Sequence, residues 1–251
     1  MSGHSKWSTI KRKKGAADAK RGAIFTRLAR EIVMSSREGG SDIDSNFRLR
    51  LAVDKARAEN MPKDNIERAI KRGSGEDKDG TVFEKITYEG YAPHGVAVMV
   101  ETVTDNRNRT VSDLRHALTK AGGTMGELGS VAWQFDHVAY FSFPSTAMNF
   151  DKAFELGIEA GANDVLDDNG TVEIIGPVDT FKVIADRLHA EKVKPEEAGL
   201  RMIPKQEVEL DVENTLKVMK ALETIEELDD VQNVFSNLKV SEEALAALET
   251  A

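Results

Sequence analysis

Most side chains in this sequence that could do chemistry are not arranged to do it. The five histidines, His4, His94, His116, His137 and His189, are scattered, with no His-Glu-x-x-His or other metal-ligand spacing. There is no cysteine, so disulfides, thiolate zinc sites and a cysteine nucleophile are excluded. No Gly-x-Ser-x-Gly elbow marks a serine hydrolase. The run from Gly122 to Gly129 is glycine-rich but lacks the Gly-Lys-Ser/Thr of a phosphate loop, and it follows a helical pattern instead of opening one. It reads as a helix end leading into a strand. Asp164, Asp167 and Asp168 resemble part of a calcium loop without its twelfth-position glutamate, and Asp167-Asp168-Asn169-Gly170 fits a hairpin turn better. No cofactor, metal or small-molecule substrate is expected.

Binding chemistry is concentrated at the N-terminus. Between Met1 and Arg37 stand ten Lys/Arg against only Asp18 and Glu31. Trp7 and His4 are interleaved with Lys6, and Lys11-Arg12-Lys13-Lys14 precedes Gly15 as a basic arm. Cations of this kind neutralise phosphates, and the indole can stack on an unpaired base. The plain alternative is a solvated basic face with Trp7 tucked against the fold. A second candidate is the stretch from Asp105 to Thr110, where Asn106, Arg107 and Arg109 lie between a strand and a helix, placed to meet an anion or simply to cap that helix. The whole-chain charge of −9 conceals a segregation. Residues 1–75 hold 18 Lys/Arg and 9 Asp/Glu, a net of +9, while the remainder holds 16 and 34, a net of −18. One part suits a polyanion, and the acidic rest limits indiscriminate sticking to it.

The elements that must carry these residues follow from periodicity. Ile24, Phe25, Leu28 and Ile32 share one helical face over about 16–38, with Lys20, Arg27, Arg30 and Arg37 opposite. Gly39-Gly40 ends this helix, Asp44 or Ser45 caps a second to about Glu59, and Pro62 opens a third that Gly73 stops. Strands are expected at 83–91, 96–103 and 130–135, with a helix at 108–121. A βαββαβ series runs from His137 to Ile203, and strand, helix, strand and helix follow from Glu207 to Leu248. The fold class expected is α+β: an N-terminal three-helix domain followed by two ferredoxin-like α/β domains. The domains are drawn as 1–79 (basic arm and helical bundle), 80–136 plus 205–240 (an interrupted α/β domain), 137–204 (inserted into it) and 241–251 (a C-terminal helix). In this scheme the segment after Pro204 supplies the strand, helix and strand missing from the interrupted domain. No apolar run approaches the roughly 20 residues that span a bilayer.

Several of these stretches carry a family resemblance. Gly3-His4-Ser5-Lys6-Trp7, Lys11, Asp18-Ala19-Lys20-Arg21-Gly22 and Phe25 resemble the opening of the YebC family. The likeness continues through Leu49-Arg50-Leu51-Ala52, Asp54-Lys55-Ala56-Arg57, Asn60 to Ile70, Tyr88-Glu89-Gly90-Tyr91, Gly95-Val96-Ala97-Val98 and Thr104 to Thr110. Phe47 stands where proline is usual, and His94 where glycine is common. The resemblance implies three domains and a regulator of gene expression, with no enzymatic activity. Some members are named as transcriptional regulators that bind promoter DNA; others assist translation at the ribosome, through proline runs. Because the match starts at the initiator region, a cytoplasmic bacterial member is expected rather than a mitochondrial translational activator.

Carried over residue by residue, the resemblance and the charge pattern nominate His4, Lys6, Trp7, Lys11, Arg12, Lys13, Lys14, Lys20, Arg21, Arg27 and Arg30 as nucleic-acid contacts. A DNA-binding transcriptional regulator is the leading expectation. A ribosome-associated translation factor acting on ribosomal RNA stands close behind, because a flexible basic arm with an aromatic suits irregular RNA. A hydrolase or transferase on the α/β domains lacks any assembled nucleophile, metal or phosphate motif. A protein-interaction module, its arm meeting an acidic partner, is the remaining alternative. The helix from Pro62, with Lys63, Asn65 and Arg68, is where a base-reading element would be sought.

Overall fold

The computed structural model describes residues 18–76, 82–168 and 170–250, with side chains described between Gly22 and Leu248. It is a mixed α+β fold: three N-terminal helices followed by two sheet-and-helix domains. The chain divides into two compact units, residues 136–203 and the segments on either side of them.

Helix α1 (Asp18–Gly39) buries Leu28, Ile32, Val33 and Met34, and Gly40 leaves it with φ +89°. Helix α2 (Phe47–Ala58) is capped by Asn46, not by Asp44 or Ser45. The Asn46 Oδ1 accepts from the Leu49 amide at 3.1 Å while Nδ2 donates to the carbonyls of Ser35 and Gly40, so one buried amide closes one helix and opens the next. Helix α3 (Lys63–Ser74) starts after Pro62 and runs through Gly73, ending at the left-handed Gly75. Gly73 is not a stop. A Cβ there would lie 2.4 Å from the Val33 carbonyl oxygen, so the glycine exists to let α3 approach the backbone of α1. The core of the three helices also takes in Phe83, just before the sheet that follows, and Val103 within it.

That sheet orders its four strands as residues 124–125, 84–91, 97–104 and 231–236. Strands β1 (Glu84–Tyr91) and β2 (Ala97–Thr104) pair antiparallel along their whole length. The turn between them holds His94 at φ 62°, a left-handed position that explains why glycine suits it. Helix α4 (Arg107–Lys120) and helix α7 (Val212–Glu226) supply Leu114, Leu118, Val218, Leu222 and Ile225 to a core against Val98 and Val100. Strand β3 is only Thr124–Met125, and β9 (Val231–Ser236) pairs with β2 across a register shift at Glu101/Thr102.

Two expectations fail in this domain. Residues 130–135 do not form a strand, because Ala132–Gln134 is a 3-10 turn and the backbone amides nearby are taken by Glu89. The segment after Pro204 contributes β9 to the sheet but not its first strand. β8 (Val208–Glu209) instead pairs in parallel with β10 (Leu238–Lys239), and β1 fills the central place. Helix α8 (Glu242–Thr250) closes the chain, with Leu245 in the same core as α7.

Residues 136–203 hold the βαββαβ series. Strands β4 (Phe135–Pro144), β5 (Asp164–Asp168), β6 (Thr171–Pro177) and β7 (Glu197–Pro204) lie in the order β5-β6-β4-β7, the ferredoxin-like order. Helices α5 (Phe150–Glu159) and α6 (Phe181–Ala190) pack on it through Ala153, Leu156, Ile184 and Leu188, and Phe181 stacks on Phe141 with centroids 5.0 Å apart.

Candidate nucleic-acid interface

Of the nominated contacts, His4, Lys6, Trp7, Lys11, Arg12, Lys13 and Lys14 lie outside the described residues. So do the side chains of Lys20 and Arg21, whose backbone belongs to the first turn of α1. The two nominated arginines further along α1 are described, and they turn inward. Arg27 Nη2 donates to the Glu226 carbonyl at 2.6 Å, the last residue of α7. Arg30 donates to the Asp229 carbonyl, pairs with the Asp230 carboxylate at 2.9 Å and lies over the Phe83 ring at 5.6 Å. Both cations thus meet the negative end of α7 and the loop beyond it, where a positive charge is stabilised. Both side chains thereby fasten α1 to the sheet domain.

The side chains of the second candidate also have partners within the protein, with Arg107 65% and Arg109 45% exposed. Asn106 is the N-cap of α4 and accepts from the Arg109 amide at 3.1 Å. Arg107 Nε donates to Glu84 at 2.8 Å. Arg109 Nη2 reaches both oxygens of Asp230, at 2.9 and 3.0 Å, and Asp105 at 2.9 Å. Thr110 Oγ1 lies 2.8 Å and Thr104 Oγ1 3.2 Å from the same Asp230 Oδ2. Asp230, only 4% exposed, therefore joins α1, α4 and the end of β2 at one carboxylate. Burial works to raise its pKa. The hydrogen bonds from Thr110 and Arg109, with the charges of Arg30 and Arg109, outweigh that and hold it below the ordinary aspartate value.

Sequence reasoning missed Asp230, because a carboxylate in an acidic chain carries no signal of its own. It also missed Glu89. This side chain is 4% exposed on β1 and accepts from the amides of Gly129 (2.7 Å), Val131 (2.7 Å) and Ala132 (2.9 Å). Burial pushes its pKa up, but the three amides prevail and hold it below the usual glutamate value. The glycine-rich stretch is thereby wrapped around an anion of the protein's own, not around a phosphate.

What the helices still present to solvent is a mixed surface. Arg48–Glu38, Lys55–Glu31 and Lys63–Glu67 are exposed pairs of the weak surface kind, and Arg68 and Lys71 are exposed on α3. Among the described residues no group of three His, Cys, Asp or Glu is placed to hold a metal ion, and no helix is long and apolar enough to cross a membrane.

A basic three-helix module followed by two α/β domains, the second lying between segments of the first in sequence, defines the class of protein this is. The chain belongs to the TACO1/YebC family: residues 5–76 match the model of the TACO1/YebC N-terminal domain, and residues 83–238 that of the second and third domains. It is 53% identical over 245 residues to a probable transcriptional regulatory protein of Geotalea uraniireducens, covering 98% of each chain. With a protein of the same name from Geobacter sulfurreducens it shares 50% identity over 248 residues, covering 99% of this chain and all of the relative. Among solved structures, a conserved hypothetical protein from Aquifex aeolicus matches with a TM-score of 0.80 at 42% identity, over 91% of this chain and 94% of the other.

Proposed function

We propose that the protein is a non-enzymatic, cytoplasmic regulator of gene expression that grips nucleic acid through its basic N-terminal arm. The observation that carries this reading is the charge segregation, +9 over residues 1–75 against −18 over the rest. His4, Lys6, Trp7, Lys11, Arg12, Lys13, Lys14, Lys20 and Arg21 are the contacts, and Arg27 and Arg30 fix the helix from which they extend. The relatives' name, probable transcriptional regulatory protein, supports transcription as the process regulated, and promoter DNA is the target that goes with it. An aromatic set among the arm's cations supports the second reading, in which structured RNA of the ribosome is the target and translation the process regulated.

Binding of labelled duplex DNA and of ribosomal RNA fragments, titrated across salt, tests the proposal. An arm making six to ten phosphate contacts loses about 10³–10⁵ in affinity between 50 and 200 mM salt. Deleting residues 1–14 is expected to weaken binding and flatten that salt dependence while the remainder stays folded. Unchanged affinity after the deletion overturns the arm as the grip. The tighter of the two targets decides between transcription and translation.

A further inference from the structure

Helix α4 and the loop from α7 to β9 enclose a groove of about 250 Å³. Leu114 and Val231 are buried in its lining, beside the Arg109–Asp230 pair, and Leu228 adds a partly covered apolar wall. The carboxylates of Asp113, Glu227 and Asp229 also line it, all on exposed residues. Among the described residues neither Asp113 nor Asp229 pairs its carboxylate with a cation. Apolar walls with carboxylates at the mouth suit a lysine or arginine side chain, whose methylene stem packs on the walls while its charged head stays among the anions. A phosphate is repelled there.

We infer that this groove seats the protein's own basic arm, Lys11-Arg12-Lys13-Lys14, when no nucleic acid is bound. The inference rests on the arm reading above and adds an internal competitor to it. Four consecutive cations without an acid among them complement the three carboxylates. The arm leads into α1, and α1 already ends two of its cations at this place: Arg27 on the Glu226 carbonyl, and Arg30 on the Asp229 carbonyl and the Asp230 carboxylate. Length also allows it. From Asp18 to Arg30 the helix climbs about 18 Å, and the chain from Lys14 or Lys11 to Asp18 extends to about 13–25 Å, so the arm can double back along α1. A tethered segment meets the groove at an effective concentration on the order of millimolar, and so occupies it ahead of a free basic peptide of equal affinity. Held in this way, the arm is released only to a polyanion that engages most of its cations. Weak or sparse phosphate contacts do not offset the loss of the groove, which restricts the grip to fitting targets.

Carbodiimide coupling of amines to carboxylates, run on the full chain without nucleic acid and mapped by mass spectrometry, tests the seat directly. Lys11, Lys13 or Lys14 is expected to be joined to Asp113, Glu227 or Asp229, and excess duplex DNA is expected to suppress those joints. The triple variant Asp113→Asn, Glu227→Gln, Asp229→Asn keeps Asp230 and should release the arm. Its affinity for a random-sequence duplex is expected to exceed, by at least about 5-fold, that of a control carrying Asp151→Asn, Glu155→Gln and Asp186→Asn. Those three acids are also exposed, and their loss changes the net charge equally. Arm lysines coupled no more often to the groove than to Asp151, Glu155 and Asp186 overturn the inference, as does equal affinity of the two triple variants. Deletion of residues 1–14 without effect on nucleic-acid binding overturns the arm reading instead, and the coupling pattern still decides whether the arm sits in the groove.

Discussion

Asp230 shows how one residue can decide an interface between elements. Its two oxygens meet Arg30, Arg109, Thr104 and Thr110, and its own carbonyl accepts the Val103 amide at 2.8 Å. Replacing it with alanine leaves Arg30, whose side chain is 11% exposed, without its partner carboxylate. Removing one partner of a buried pair costs about 3–5 kcal/mol. Asp230→Ala is therefore expected to lower the urea midpoint with little change in slope, and a midpoint equal to wild type would count against the joint. The carboxyls of Asp230 and Glu89 both have folded pKa values below their ordinary ones. Their contribution is thus complete above the unfolded values of about 3.9 and 4.3, and is lost as the pH falls through the lower folded values. Stability measured from pH 6 downward should drop less steeply in Glu89→Gln than in wild type, because the variant has already lost that contribution.

At the level of elements, close approach is what composition hides. Gly73 read as a helix stop because glycine commonly ends helices, yet it lies inside α3, and Gly75 ends it. Gly73→Ala would drive a Cβ against the Val33 carbonyl and the Ser36 side chain, a clash with backbone that only movement of α1 or α3 relieves. Overpacking of this kind costs about 1–3 kcal/mol. The loss should appear as a lower thermal midpoint, whereas Gly75→Ala should cost through its positive φ of 80° instead. Element types from α1 to α8 were legible because apolar spacing reports which face is buried. The segment 130–135 was not, since its apolar residues look strand-like while its amides answer to a glutamate some forty positions earlier.

For the molecule as a whole, the sheet β3-β1-β2-β9 draws strands from both sides of residues 136–203. Residues 136–203 contain all four strands of their sheet, apart from the first residue of β4 and the last of β7, and both covering helices. Expressed alone, that segment is expected to unfold cooperatively, with native-like dispersion in its proton spectrum. Residues 2–135 alone lack β9 and α7, and so leave Val98, Val100 and Leu114 without their cover. They should be soluble only as a partly folded chain, or not at all. A stable, cooperatively folded 2–135 fragment would show that the sheet does not need its distant strand.

The sequence by itself determined the succession of helices, most of the strands, the segregation of charge, the lack of catalytic motifs and the family, because these are properties of residue types and local spacing. It also placed the arm that the proposed function rests on. Only the tertiary structure decided which partners the arginines take within the chain. Arg27, Arg30 and Arg109 are indistinguishable from solvent-facing cations along the chain, yet each is claimed by a carbonyl or carboxylate more than a hundred residues away. The central place of β1, the pairing of β8 with β10 and the anchoring of the 129–132 loop by Glu89 were settled the same way. Hydrogen-bond partners and strand neighbours are chosen in space, and the chain's order does not record that choice.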